Sequence, residues 1–249
     1  MALLVDMKNI HKWFGSVHAL RGVDFYVNYS EGVGLIGDNG AGKSTLIKIL
    51  TGVLRQDKGE IFFKGKKVNF SSPKEARDNG IETIYQEQAL ADDLSVKRNL
   101  FMGKEPLRYI GPIGFLDHKK MEEESRRILM ELGLKIPSMD QEARFCSGGE
   151  RQGIAIARAM YFKADLVILD EPTRGLGITG VQRVLELLEE LKRRGIAFIF
   201  ISHNLYHVYP VVDRFVILAR GKKIADLLKK DTSISELTEL LTKSVSLAE

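Results

Sequence analysis

The eight residues Gly37-Asp38-Asn39-Gly40-Ala41-Gly42-Lys43-Ser44 restrict what this chain can fold into more than any other stretch. They have the G-x-x-x-x-G-K-[ST] spacing, in which glycines let backbone N–H groups converge on phosphate oxygens and the helix that follows offers its positive end. Such a loop needs a buried strand before it and a helix after it. Both patterns are present: Val33 to Ile36 is apolar, and Lys43 to Leu50 has helical spacing with Gly52 near its end. Lys43 is placed to reach the β- and γ-phosphates of a nucleoside triphosphate, and Ser44 to ligate Mg2+.

A second stretch, Ser147-Gly148-Gly149-Glu150-Arg151-Gln152, opens a helix containing Ile154, Ala155, Ala157 and Ala159. It presents free N–H groups and a hydroxyl at a positive helix end, which suits an anion. An ordinary N-cap with flexible glycines is the simpler reading. Because residues 37 to 44 already form a phosphate site in another lobe, the second end suits a nucleotide held mainly by another molecule.

Leu166-Val167-Ile168-Leu169 is an apolar strand that ends in Asp170 and Glu171. Two neighbouring carboxylates at a strand end need a metal, a water or a proton to engage them. Asp170 is expected to hold Mg2+ through water, and Glu171 to orient or deprotonate the attacking water. His203 follows the apolar run Ala197 to Ile201, and Gln86 follows Ile81 to Tyr85, so both stand beyond strand carboxyl ends, where ligands of such sheets collect. His203 is read as a γ-phosphate contact. Gln86 is read as a partner of Mg2+ and the attacking water, with an ordinary surface glutamine as the alternative.

The remaining patterns frame these residues. Val5 to Val27 predicts a small antiparallel sheet interrupted at Gly15 and Gly22, extended by a hairpin of Ile61–Phe63 and Val68–Phe70 joined through Lys64-Gly65-Lys66-Lys67. Ser72-Pro73 places a capping hydroxyl and a first-turn proline before a short helix that stops at Gly80. From about Ala89 to Met139 helical spacing takes over, with Asp117 to Leu132 as its plainest helix. Strands return at Leu166–Leu169, Ala197–Ile201 and Phe215–Leu218 with helices between them, which predicts a parallel sheet covered on both faces. Ile234 to Leu241 predicts a final amphipathic helix. The fold class is α/β: a phosphate-loop core with a mostly parallel sheet, an N-terminal antiparallel part and an inserted helical part. One domain over residues 1–249 is expected, with core segments 1–88 and 153–230, a helical segment 89–152 and a C-terminal helix and tail 231–249.

At 249 residues the chain can bury one sizeable core with a smaller lobe. Cys146 is its only cysteine, which excludes an internal disulfide and suits a small apolar filler. The 37 Lys and Arg against 33 acidic residues leave +4, too little for nucleic acid without a concentrated basic stripe. Lys119-Lys120 and Arg126-Arg127 are interleaved with glutamates, and Lys192, Arg193 and Arg194 close a helix where cations oppose the dipole. No run approaches the roughly eighteen apolar residues of a membrane span, and no signal core opens the chain.

In order and spacing these motifs resemble those of ATP-binding cassette (ABC) ATPases along nearly the whole chain. The resemblance implies a Q-loop at Gln86, a signature at Ser147 to Glu150, a Walker B strand with Asp170 and Glu171, and a switch histidine at His203. It implies that Gly37, Asn39, Gly40, Ala41, Gly42, Lys43, Ser44 and Thr45 line the phosphates of ATP. It also implies that Ser147, Gly148 and Gly149 meet the ATP of a second cassette packed head to tail, either another copy or a different chain. Phe14 fits the residue on which the family stacks adenine, with Trp13 as the neighbouring alternative. Tyr85-Gln86-Glu87-Gln88, Asp93 to Val96 with Asn99 to Gly103, and Glu171 to Gly177 are similar to importers of simple sugars of the ribose and xylose kind. That likeness implies transmembrane permease subunits docking beside the Q-loop, a sugar-binding protein acting indirectly, and a place on the cytoplasmic face of the membrane. A soluble cassette acting on nucleic acid or ribosomes is the alternative, and a small-molecule kinase leaves the helix at Ser147 without a role. Two departures stand out: Cys146 and Glu150 replace the usual Leu and Gln of the signature, and Gly177 replaces the usual Asp of the D-loop.

Overall fold

The computed structural model describes residues 3–85 and 90–246. Strands β1 (Leu3–Phe14) and β2 (Val17–Asn28) form a long antiparallel ribbon closed at Phe14↔Val17, with Gly15 in the left-handed region at φ 56°. Strand β3 (Gly32–Ile36), buried throughout, leads into helix α1 (Lys43–Leu50), at the bounds the periodicity predicts. Strands β4 (Lys58–Phe63) and β5 (Lys66–Val68) extend the ribbon into a four-stranded sheet of order β2-β1-β4-β5. Here the second strand begins two residues earlier than expected. Lys64 and Gly65 both have positive φ, so they alone make the tight turn and bring Lys66 opposite Phe63. Helix α2 (Pro73–Asp78) starts at Ser72, whose hydroxyl accepts the Glu75 N–H at 3.2 Å, and strand β6 (Ile81–Ile84) follows.

The helical part begins with α3 (Val96–Phe101) and includes a hairpin that helical spacing does not predict, β7 (Leu107–Ile110) and β8 (Ile113–Leu116). Gly111 with positive φ, followed by Pro112, makes its two-residue turn. Helix α4 (His118–Glu131) is capped by Asp117 and buries Met121, Ser125, Ile128 and Leu129 along one face. Helix α5 (Gly148–Tyr161) then runs back toward the core, where β9 (Leu166–Asp170), α6 (Ile178–Arg193), β10 (Ala197–Ile201), α7 (Leu205–Val208) and β11 (Arg214–Ala219) alternate. Strand β12 (Lys222–Leu228) turns back antiparallel on β11, and α8 (Ile234–Ser246) closes the described chain.

The central sheet has the order β12-β11-β3-β10-β9-β6 and is parallel except at β12. Alternate side chains of each strand enter two cores. Val167, Leu169, Phe198, Phe200, Phe215 and Ile217 face the core built with α5, α6 and the helical part. Leu166, Ile168, Ile199, Ile201, Val216 and Leu218 face the core shared with α1 and the antiparallel sheet. This period-2 division is what the near-continuous apolar runs require of a sheet covered on both faces. Cys146 is buried in the first core, and burial raises its thiol pKa above the usual cysteine range.

One polar anchor runs through the interior. Arg214, 2% exposed, donates to Glu31 through Nε at 2.7 Å, to Asp226 through Nη1 at 2.7 Å and to the Tyr26 carbonyl at 2.6 Å. It ties β11 to β12 and to the end of β2. The basic end of α6 is likewise more than a dipole complement, because Lys192 donates to Asp213 Oδ1 at 2.7 Å and to the Val211 carbonyl.

Candidate nucleotide site

Parallel pairing sets the carboxyl ends of the central strands level. Ile201 is opposite both Asp170 and Leu35, so the chain segments that leave β3, β9 and β10 emerge side by side. Because β10 lies between β3 and β9 in the sheet, Ser202 and His203 stand between the phosphate loop and Glu171.

The loop's glycines are steric requirements. Gly37 has φ 150°, and a Cβ there would collide with the Leu218 carbonyl. Gly42 has φ 105°, and a Cβ would come within 2.8 Å of Leu20. Gly40, also at positive φ, has open space where a side chain would be. The result is a cradle of about 160 Å³ lined by Asp38, Asn39, Gly40, Ala41, Gly42, Lys43, Ser44 and Thr45, together with Ala19 from β2. Ala19 is the third residue of β2, so the loop-centred reading of the sequence missed it. Lys43 is folded into the loop and donates to the carbonyls of Gly37 and Asp38. Burial lowers its ammonium pKa below the usual lysine range, opposed by the nearby charges of Glu171, Asp170 and Asp38. A cation that is desolvated and satisfied only by loop carbonyls favours exchange of those partners for phosphate oxygens.

Asp170 shows the opposite shift. Burial first, and the adjacent Glu171 second, raise its carboxyl pKa above the ordinary range, with Lys43 and Lys48 offsetting part of the effect. A buried carboxylate beside another and a hydroxyl at Ser44 are oxygen donors of the kind Mg2+ takes. The residues present therefore fit Mg2+ bound with a triphosphate.

Glu171 is held from three sides. Its Oε1 accepts from His203 Nδ1 at 2.7 Å and from the His203 backbone N–H at 3.2 Å, and its Oε2 accepts from the Ser202 hydroxyl at 2.8 Å. A carboxylate can only accept, so Nδ1 of His203 carries the proton in this arrangement and Nε2 points elsewhere. Glu171 itself lies at φ 49°, an uncommon conformation for a glutamate and one that collects at functional sites. Ser202 was missed in the sequence because its signal, a hydroxyl directly after an apolar strand, is indistinguishable from a loop serine. Thr173, 3% exposed, pairs with His207 Nδ1 at 2.9 Å and ties the turn after β9 to α7.

Ser147, Gly148 and Gly149 are not brought into the phosphate cradle. They line a separate cleft of about 500 Å³ with Gly175, Leu176, Gly177 and Arg183. Ser147 caps α5 in a reciprocal box: its hydroxyl accepts the Glu150 N–H at 3.3 Å, and Glu150 accepts the Ser147 N–H at 2.7 Å. The simpler N-cap reading is thus realised in the isolated chain, and Glu150 is the residue that realises it. Phe14 ends β1 with its ring 46% exposed, whereas Trp13 is stacked on His18 with centroids 4.0 Å apart. Gln86 lies outside the described residues.

A profile of the family described as ABC transporter matches residues 20–174, from β2 to just past β9. The chain belongs to the ABC transporter family. It is 46% identical to the xylose/arabinose import ATP-binding protein XylG of Sulfolobus acidocaldarius, over 97% of this chain and 95% of that protein. It is 42% identical to the fructose import ATP-binding protein FrcA of Rhizobium meliloti, over 96% of this chain and 94% of that one. Against the ribose import ATP-binding protein RbsA of Geobacillus kaustophilus the identity is 38% and the chain spans 48% of the relative's length. Among solved structures, an ATP-binding cassette of an ABC transporter in its ADP conformation superposes with a TM-score of 0.81 at 29% identity, covering 100% of this chain and 99% of that one. The fold is that of an ABC ATPase: a mixed sheet, mostly parallel, with N-terminal antiparallel strands and a helical subdomain.

Proposed function

We propose that this ABC ATPase hydrolyses ATP to drive uptake of a simple sugar through separate membrane-spanning permease subunits. The observation that carries the catalytic part is the three-point hold on Glu171 by Ser202 and His203, at the strand ends that also present Lys43 and Asp170. Glu171 is the general base that takes a proton from water, Lys43 meets the β- and γ-phosphates, and His203 contacts the γ-phosphate through the ring nitrogen turned away from Glu171. Ser44 and Asp170 hold Mg2+, with Gln86 completing the set. Mg2+ supplies charge neutralisation for the transferred phosphoryl group. Phe14, rather than the already stacked Trp13, is the platform for adenine.

The importer part rests on the relatives, whose names are those of xylose, fructose and ribose import ATP-binding proteins, two of them matched along nearly their whole length. Among the described residues no helix is long and apolar enough to cross a membrane, so the proposed pore lies outside them. The separation of the Ser147 cleft from the phosphate cradle supports a head-to-tail pair in which each ATP touches two cassettes. We assign residues 89–152 to the helical segment that the permease touches, within the single cassette 1–249, and place the chain on the cytoplasmic face of the membrane. Mixing Lys43→Ala with Ser147→Arg subunits tests the pair directly. Partial recovery of ATPase activity in the mixture is expected, because one of the two interfaces then carries an intact lysine and serine. Two inactive proteins that stay inactive after demonstrated subunit exchange would remove the paired reading. Affinity purification from solubilised membranes is expected to bring down a hydrophobic permease chain.

A further inference from the structure

A second cleft, of about 500 Å³, opens where the β11–β12 turn, the start of β2 and helix α8 meet. Four cations line it, Arg21, Arg220, Lys222 and Lys243, over a floor that includes Ile224 and Leu240, and no carboxylate is among its described lining residues. Lys243 pairs with Glu239 on the exposed surface of α8, and Arg21 Nε donates to the His18 carbonyl at 3.2 Å. One apolar floor ringed by one sign of charge selects a ligand with an anionic head and an apolar body.

The cleft is one hydrogen bond away from the phosphate loop. Arg220 and Gly221, with φ of 49° and 76°, form the two-residue turn between β11 and β12. Arginine is an uncommon residue for the first of these left-handed positions, where Asn, Asp or Gly is the default. The Gly221 N–H donates to the Ala41 carbonyl at 3.0 Å, and its own carbonyl accepts from the Arg21 N–H at 2.7 Å. There is no slack in this packing: a Cβ on Gly221 would collide with the Ala19 carbonyl, and Gly42 of the loop faces the Gly221 Cα. A ligand that draws Arg21 or Arg220 toward itself therefore acts on Ala19 and Ala41, both of which line the phosphate cradle.

We propose that this cleft binds an anionic amphiphile, a phosphate or carboxylate head on a short apolar body, and that its occupancy changes the affinity of the phosphate loop for nucleotide. The head sits among Arg220, Lys222 and Lys243, and the body lies on Ile224 and Leu240. Such a ligand is either a free small molecule or the headgroup region of a membrane lipid.

The test uses the full chain with n-octyl phosphate as probe and titration calorimetry as readout, beside inorganic phosphate alone and vesicles containing phosphatidylglycerol. Octyl phosphate is expected to bind at least about tenfold more tightly than inorganic phosphate, since the apolar body adds burial to the charge. It is expected to shift the Kd of a fluorescent ATP analogue by about fivefold, the lower end of ordinary coupling between sites. Lys222→Glu combined with Lys243→Glu, two exposed positions, should abolish both effects. Ile224→Glu, at a position 43% exposed, should do the same without touching a cation. Vesicle binding lost in the same variants identifies a lipid as the ligand, and octyl phosphate binding without vesicle binding identifies a free molecule. Octyl phosphate that binds no better than phosphate, binds the variants equally, or leaves analogue affinity unchanged overturns the proposal. Calorimetry reads the cleft even if the analogue fails to bind, so failure of the nucleotide reading is seen separately.

Discussion

The Nδ1 of His203 lies 2.7 Å from Oε1 of Glu171, joining the carboxylate after β9 to the residue two places past the end of β10. Neither residue is near the other in sequence, and the parallel pairing of β9 with β10 alone makes them partners. Glu171→Gln keeps the shape of this contact but removes the proposed base. It should retain ATP affinity within about twofold while lowering the hydrolysis rate by about 10²- to 10⁴-fold, the usual worth of general base catalysis. Single-turnover hydrolysis beside filter binding measures the two separately, and wild-type turnover in the variant would contradict the assignment.

Ser202, fully buried, holds the other oxygen of the same carboxylate at 2.8 Å, which makes it a positioning residue. Ser202→Ala should therefore lower kcat by about tenfold, roughly one hydrogen bond to a charged group, with KM for ATP little changed. Ser202→Thr, which keeps a hydroxyl, should recover much of the loss. A rise in KM with constant kcat would assign Ser202 to binding instead.

In the proposed reading, binding and stability divide between Phe14 and Trp13. Phe14→Ala should raise KM for ATP by about tenfold, the loss of one aromatic stacking contact, and leave the melting temperature nearly unchanged because the ring is half exposed. Trp13→Ala should do the reverse, since its ring packs on His18 and under Lys58. Reversal of these two patterns would exchange the roles.

Asp170 links function to pH. Its folded carboxyl titrates above the unfolded value, so the folded state keeps the proton more firmly and stability falls as pH rises through the ordinary aspartate range and past the raised value. Asp170→Asn should then melt about 2–4 °C higher than wild type at pH 7.5 without nucleotide, while losing hydrolysis. The difference should vanish below about pH 3, under the ordinary aspartate value, where the carboxyl is neutral in both folded and unfolded states. A variant that melts lower at neutral pH would show that Asp170 is stabilised by its neighbours.

Arg214 is the structural counterpart. Arg214→Met leaves Glu31 buried without its cation and should cost about 3–5 kcal/mol in chemical denaturation. Removing Glu31 in the same protein should recover part of that loss.

Much of the geometry of the candidate site was legible in the sequence. The phosphate loop, the Ser72-Pro73 start and the helix ending near Gly133 are written in contiguous residues, because glycine conformations and helix caps depend on neighbours a few positions away. The hairpin at Leu107–Leu116 had a signal, Gly111-Pro112 between β-prone residues, but helical spacing on both sides concealed it. Ser202 and Ala19 had none, since a serine after a strand and an alanine in one acquire meaning only from what lies across the sheet.

The sequence by itself determined that a glycine-rich loop of phosphate-binding spacing joins β3 to α1, and that two carboxylates and a histidine follow apolar strands. Backbone sterics and strand-end chemistry are local, and nothing distant can change them. Only the tertiary structure decided that Glu171 is clamped by Ser202 and His203, that Ser147 faces a different cleft, and that the Arg220–Gly221 turn bears on the phosphate loop. Those relations follow from the strand order β11-β3-β10-β9, which is a property of long-range pairing and carries no mark in any single stretch of chain.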